Sequence, residues 1–259
     1  MSWLPMFLHL FALGTAGAIA FVPFKEIGTY YFRFHATTAL LLVVPAVLLG
    51  RPWAAVGTGT PMARVAAVGA LLFGVLILVE NVIVRAAVRD LRKDALLMPV
   101  SLGALFVSFA AFAAREGDPG GALLLAAHYL TCAAVLGTAM VAMTTGHWYL
   151  SNAKLPFEIL IGLTRGFVAA IGAKGVVSIV YFASRFADYR RLEDFDLLVI
   201  GVRLIAGIGM AMALGLMALS CAKRKANQSA TGILYVAVVF VLIGESISMA
   251  LTLGSRRPI

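Results

Sequence analysis

Eight long runs of apolar residues, separated by short polar breaks, fill almost the whole chain. Each run is about as long as the ~20 residues that an α-helix needs to cross the hydrocarbon core of a bilayer. The runs are continuous rather than alternating, which predicts membrane-spanning helices and excludes a transmembrane β-barrel. The predicted spans are 3–22, 30–50, 65–84, 95–114, 122–149, 157–184, 195–221 and 229–252.

Composition supports this class. Of the 259 residues, 62% are hydrophobic and only 13% are charged, whereas a soluble domain carries about a quarter charged residues. The polar breaks are too short to hold a soluble lobe. We therefore predict an all-α integral membrane protein, with residues 1–259 forming a single transmembrane helical domain.

The net charge of +9 comes from Lys and Arg in the polar breaks. There these residues meet anionic lipid head groups, so the lipid bilayer is the expected partner and nucleic acid is not. An even number of spans places both termini on one side, here called side one. The densest basic clusters, Arg85–Lys93 and Lys223–Lys225, fall on the other side, side two. The positive-inside rule then makes side two cytoplasmic and the termini periplasmic, in a bacterial cytoplasmic membrane.

Two halves of the chain share features at a nearly constant offset. The segments Pro23–Ile27 and Pro156–Ile159 each open a helix, and Arg51 and Arg185 close those two helices. Four spans per half would make this a four-plus-four parallel repeat. The alternative is chance similarity between two apolar bundles.

Polar residues inside the spans are the informative ones, because a charge at mid-membrane costs several kcal/mol. They form two sets by predicted depth. The set nearer side one comprises His9, His128, Lys174, Arg203 and Glu245, and the set nearer side two comprises His35, Glu80, Asn81, His147 and Arg165.

The ionic residues Lys174, Arg203 and Glu245, together with Glu80, have three interpretations. They form a structural network that fixes helix register, or their surplus positive charge binds an anionic group such as a haem propionate or a substrate carboxylate. In the third interpretation Glu245 carries protons.

The four histidines pair by depth, His9 with His128 and His35 with His147. Imidazoles on facing helices are what b-type haem requires, and a His beside a Glu provides the donor and the proton acceptor of a quinone site. Beyond a possible haem iron, no metal site is indicated, since the two cysteines form no Cys-x-x-Cys motif.

The segment Gly146–Leu150 combines His147 with Trp148 and Tyr149. Trp and Tyr anchor helices at the membrane interface. Alternatively, the two aromatic rings beside His147 hold a planar ring or a lipid-like head group, in a pocket completed by Tyr30, Tyr31, Phe32, Arg33 and His35. Arg165 is a further candidate for cofactor binding.

These features favour a membrane-integral subunit of a bacterial electron-transfer or respiratory complex. Such a subunit contacts quinone or haem b and works with other membrane or extrinsic redox subunits, and any enzymatic role is that of a quinone-linked oxidoreductase complex. One alternative is a small-molecule or ion transporter that uses Lys174, Arg203 and Glu245. The other is a structural or assembly subunit.

Overall fold

A computed structural model of the protein describes residues 3–86, 93–151, 155–184 and 194–254. Helices and short turns make up these residues, and no β-strand occurs among them. Among the described residues, seven apolar helical spans are long enough to cross a membrane. The predicted class is confirmed: this is an all-α, multi-pass membrane protein.

Each predicted span overlaps an observed helix or run of helices, with ends that differ by up to four residues. In chain order, the helices are α1 (Trp3–Ile19), α2 (Phe24–Ile27), α3 (Thr29–Gly50), α4 (Pro52–Thr58), α5 (Pro61–Ala86), α6 (Lys93–Ala114), α7 (Pro119–Ser151), α8 (Phe157–Ser184), α9 (Asp194–Val202), the π-helix π1 (Arg203–Met210), α10 (Ala211–Lys223) and α11 (Asn227–Gly254). The segments α9, π1 and α10 follow one another without a break and form one span. The short helices α2 and α4 lie in breaks for which no helix was predicted.

Helix α1 is shorter than predicted. It ends at Ile19 because the N–H groups of Phe21 and Val22 turn back to the carbonyls of Ala18 and Ile19, and Pro23 follows. Its 17 residues are at the lower limit for crossing a bilayer. An eighth crossing therefore stays a prediction.

The chain forms two compact units, Met1–Ala133 and Ala134–Ile259. The boundary falls inside α7, which is one continuous helix. A four-plus-four repeat would place the division between α6 and α7 rather than inside α7. Symmetry between the halves stays a prediction, as does the description as a single domain. Arg185 and residues 87–92 of the basic cluster lie outside the described residues.

In the first unit, four helices form a ring in which α1 packs on α3 and α6, α3 packs on α5, and α5 packs on α6. Gly103 of α6 permits close packing against α1 and α5. A Cβ atom at Gly103 would lie 2.7 Å from Leu13 Cδ1 and 2.8 Å from Phe73 Cε2. Small residues let membrane helices approach closely, since packing rather than hydrophobic burial drives their association.

In the second unit, α10 packs on α8 and α11, and π1 packs on α11. The second half of α7 also reaches α11, since a Cβ atom at Gly146 would lie 2.7 Å from Thr231 Oγ1. In the second unit, the distorted span α9–π1–α10 therefore packs on both α8 and α11.

Candidate functional site

Most hydroxyl groups in the spans are satisfied within their own helices. Their Oγ atoms donate to the carbonyl three or four residues earlier, a local bond that needs no neighbouring helix. The residues with this bond include Thr15, Thr37, Ser108, Thr131, Thr145, Thr164 and Thr252. Polar groups that are not satisfied in this way mark the candidate sites.

The interior of the second unit contains an ion pair between α8 and α11. Lys174 Nζ lies 3.2 Å from a carboxylate oxygen of Glu245, and both side chains are at most 2% exposed. Burial of two charges is costly, so such a pair persists only when the partners face each other closely. The structure thus brings together two of the four residues predicted to form an ionic cluster, of which Glu80 belongs to the first unit.

Arg203, the third member, is the first residue of the π-helix π1 and is only 1% exposed. One guanidinium nitrogen, Nη2, lies 3.5 Å from Ser248 Oγ on α11. The other two, Nε and Nη1, are buried and have no hydrogen-bond partner. An unsatisfied buried donor is destabilising, and π-helical turns within α-helices are frequent at functional sites.

The three charged residues lie at one depth. Lys174 is ten residues before the end of α8, Arg203 nine residues after the start of α9, and Glu245 nine residues before the end of α11. At 1.5 Å rise per residue, each lies about 14 Å from the side-one end of its helix. We name Lys174, Arg203, Glu245 and Ser248 the midplane cluster, since this depth lies well inside a ~30 Å core, within its side-one half.

A close crossing of two backbones adjoins the midplane cluster. A Cβ atom at Gly207 in π1 would lie 2.6 Å from Gly244 Cα in α11, and Gly244 immediately precedes Glu245. Only glycine allows this approach. It fixes π1 against α11 about one helical turn from the level where Arg203 reaches Ser248.

One buried hydroxyl adjoins the Lys174 side chain along α8. Ser178, one turn nearer side one, is 3% exposed and its Oγ has no hydrogen-bond partner. Its position on the helix face of Lys174 follows from the spacing of four residues. The second unit therefore contains unsatisfied polar groups on α8 and on π1.

In the first unit, His9 is enclosed by aromatic rings. Its ring lies 5.1 Å from that of Phe106 and 6.3 Å from that of Phe73, between ring centroids. Nδ1 lies 2.8 Å from the Pro5 carbonyl, which can only accept, so Nδ1 carries the hydrogen. Nε2 is buried without a hydrogen-bond partner, the arrangement in which an imidazole can ligate a metal.

His35 and Glu80 lie at similar depth on the contacting helices α3 and α5. His35 is fully buried, with its ring 4.5 Å from that of Tyr31. Both carboxylate oxygens of Glu80 are buried without a hydrogen-bond partner.

Nearer side two, polar side chains link the same two helices. Arg85 Nη2 donates to Thr37 Oγ1 over 3.0 Å, and Arg33 Nη2 donates to the Arg85 carbonyl over 2.9 Å. Arg85 Nε also donates to Asn81 over 2.7 Å. These hydrogen bonds connect α3 and α5 near their side-two ends in the first unit.

The end of α7 has two different roles. Tyr149 is buried, its hydroxyl donates to the Pro156 carbonyl, and its ring packs on Phe157, so it anchors the turn into α8. His147 is exposed, and its Nδ1 lies 3.0 Å from the Tyr235 hydroxyl on α11.

The predicted site residues are thus distributed over both units. His9, His35, Glu80 and His128 belong to the first unit, and His147, Trp148, Tyr149, Arg165, Lys174, Arg203 and Glu245 to the second. Of the predicted residues in the second unit, the structure pairs Lys174 with Glu245 and leaves Arg165 exposed on α8. His128 is buried in α7 beside Tyr129.

Sequence reasoning missed three residues that take part in these arrangements, namely Ser178, Ser248 and Tyr235. Ser178 and Ser248 could have been found as the hydroxyl residues one turn from Lys174 and from Glu245. No comparable signal linked Tyr235 to His147, since the two are 88 residues apart in the chain.

No family model, no curated protein and no solved structure matches the chain, so these comparisons assign it to no family. Within the described part of the chain, no three His, Cys, Asp or Glu side chains gather to hold a metal ion.

Proposed function

We propose that the protein is a multi-pass membrane transporter for a small solute or ion, and that the midplane cluster is its translocation site. One observation supports this most strongly. A buried Arg with two unsatisfied nitrogens lies at the depth of a buried Lys–Glu pair, on a helix that is π-helical at that point.

Physical cost argues for a functional role of the cluster. Three ionisable groups inside a membrane are expensive, and such groups mark substrate paths and proton relays. Transporters typically bind their substrates near the bilayer midplane, between helices whose regular hydrogen bonding is interrupted. The second unit combines the charges, the depth and the irregular helix.

Flux measurements test this function directly. Proteoliposomes on a solid-supported membrane electrode would be exposed to steps in pH and in chloride, nitrate, acetate, lactate, phosphate, sodium and potassium. We expect a transient current for at least one of these, reduced at least tenfold in Glu245→Gln. Glu158→Gln, an exposed carboxylate at the start of α8, is the matched control and should keep the current. Absence of current for every step would contradict the proposal.

A second function, contact with a membrane quinone as part of a redox complex, is favoured by the His147–Tyr235 pair. The pair lies near the side-two ends of α7 and α11, and both residues are exposed. An imidazole and a phenol offer the donor and the acceptor that a quinone head group uses. Trp148, the residue after His147, is half-buried, and Arg165 is exposed on α8.

Fluorescence separates this second function from the first. A short-tailed ubiquinone should quench the emission of Trp148 saturably, and Tyr235→Phe should weaken the binding at least tenfold. A Trp148→Phe variant identifies which part of the quenching comes from this residue. Quenching that rises linearly and is equal in Tyr235→Phe would exclude a quinone site here.

Haem is tested by the visible absorbance of the purified protein. His9 is the residue best arranged to ligate iron, because Nδ1 is bonded to Pro5 and Nε2 is unpartnered. A reduced-minus-oxidised difference band that is lost in His9→Ala would support haem b. A colourless protein excludes it.

A further inference from the structure

We infer that the ligand of the midplane cluster is a monovalent planar oxyanion, a carboxylate being the typical case, bound by the Arg203 guanidinium. This inference deepens the proposed function and depends on it for its physiological meaning. Its first support is the net charge of the buried side chains in the second unit. The buried charged side chains in the described part of the second unit are Lys174, Arg203 and Glu245, two cations and one carboxylate.

The ion pair determines which charge is left over. Lys174 and Glu245 are 3.2 Å apart and neutralise each other. Arg203 retains its charge, because a guanidinium stays protonated in proteins and Ser248 supplies only a neutral hydroxyl at 3.5 Å. One negative charge on a ligand would therefore bring this interior to neutrality, whereas a divalent anion would leave a surplus.

Guanidinium geometry determines the shape of the ligand. The group has two edges with paired N–H donors, one formed by Nε and Nη2 and the other by Nη1 and Nη2. Ser248 takes one of the two Nη2 hydrogens. Since Nε and Nη1 are both unpartnered, one complete edge remains whichever hydrogen Ser248 accepts. A complete edge matches the two oxygens of a carboxylate or nitrate in a bidentate pair.

The surroundings make the interaction selective. Arg203 is 1% exposed, so the hydrogen bonds form away from water, where a charge-assisted pair is strong. A cation is disfavoured, because the nearest unsatisfied groups on π1 are donors that carry positive charge. The inference therefore excludes metal cations and organic amines as ligands of Arg203.

Binding is measured separately from transport. The detergent-purified full-length protein would be heated in sodium nitrate, formate, acetate and lactate, with sodium sulfate at equal ionic strength as the reference. We expect the unfolding midpoint to rise saturably with at least one of the four planar monoanions and to show no saturable rise with sulfate. Arg203→Gln should remove the saturable rise, and Arg224→Gln, an exposed Arg at the end of α10, should keep it.

Arg203→Lys keeps the charge but loses the paired edge. Arg203→Lys should bind the same anion at least tenfold more weakly. If Arg203→Gln does not fold, the binding measured for Arg203→Lys tests the inference instead. No saturable rise in the unaltered protein, or an equal rise in Arg203→Gln or in Arg203→Lys, would overturn the inference. Saturable binding without flux leaves the anion site standing and contradicts transport, whereas flux of a cation or protons without anion binding contradicts only the anion site.

Discussion

Glu245 offsets one of the two positive charges that are buried in the described part of the second unit. Its carboxylate is paired with Lys174, and both side chains are essentially buried. Removal of one partner of such a pair leaves the other charge buried and uncompensated, which costs more than the intact pair contributes. The effect of a substitution here therefore depends on which charges remain.

We predict that Glu245→Gln lowers the free energy of unfolding by about 3 kcal/mol, because Lys174 loses its counter-ion. Combining it with Lys174→Met should recover part of that loss, since the unpaired ammonium is removed as well. Denaturant titration in mixed micelles measures both variants. Glu158→Gln, which is exposed, should leave the titration midpoint unchanged. Equal destabilisation in the single and double variants would argue against the pair.

Tyr149 tests whether the aromatic segment at the end of α7 is an anchor. Tyr149→Phe keeps the ring on Phe157 and removes the hydroxyl that donates to the Pro156 carbonyl. We expect a loss of about 1 kcal/mol in stability, the usual net contribution of one hydrogen bond. Tyr30→Phe, at a ring that is 74% exposed, is the control. Unchanged stability in Tyr149→Phe would show that the hydroxyl is not needed for the turn.

At the scale of elements, the span α9–π1–α10 differs from an ordinary membrane helix. Its sequence is a continuous apolar run and predicts one regular helix, yet eight residues from Arg203 to Met210 are π-helical. Gly207 lies within this segment and touches Gly244 of α11 backbone to backbone. The crossing and the π-helix together place Arg203 beside Ser248.

We predict that Gly207→Ala and Gly244→Ala each lower stability by about 1–3 kcal/mol, because an added methyl group forces the two backbones apart. The same substitution at Gly201 and Gly232 meets nothing within 4 Å. These two variants, on α9 and α11, should be neutral or up to about 1 kcal/mol more stable, since Ala favours a helix over Gly. Thermal unfolding of the four variants compares them directly, and similar midpoints in all four would rule out the close crossing.

At the scale of the whole molecule, the order of the spans determines which connecting segments share a side of the membrane. The segment after α1 and the turn after α10 share one side, and the turn after α6 lies on the other, because three crossings separate each from the next. The positive-inside rule favours side two as cytoplasmic.

Cysteine labelling checks this topology. In a background with Cys132 and Cys221 replaced by Ser, we expect Glu116→Cys to react with a membrane-impermeant maleimide added to intact cells. Glu26→Cys and Lys223→Cys should react only after the cells are opened. If Glu26→Cys and Glu116→Cys react from the same side, the number of crossings between them is wrong. If the pattern is inverted, side one is cytoplasmic.

The class of the protein follows from the sequence, because membrane insertion depends on the hydrophobicity and length of each segment, and both are local properties. Depth also follows from the sequence. Lys174, Arg203 and Glu245 were predicted in the side-one half of the bundle because position along a helix converts into distance from the membrane surface at a fixed rise per residue.

What depth could not decide is which side chains of equal depth meet. That depends on how each helix is rotated about its own axis and on which helices are neighbours, and in an apolar sequence many rotations bury equivalent surface. The sequence by itself determined a multi-pass helical membrane protein with costly charges inside its spans. Tertiary packing decided that Lys174 faces Glu245, that His147 meets Tyr235, and that a π-helix leaves Arg203 with unsatisfied donors. The physical reason is that each contact depends on the rotation of two helices, which for π1 and α11 is limited by the backbone contact at Gly207 and Gly244.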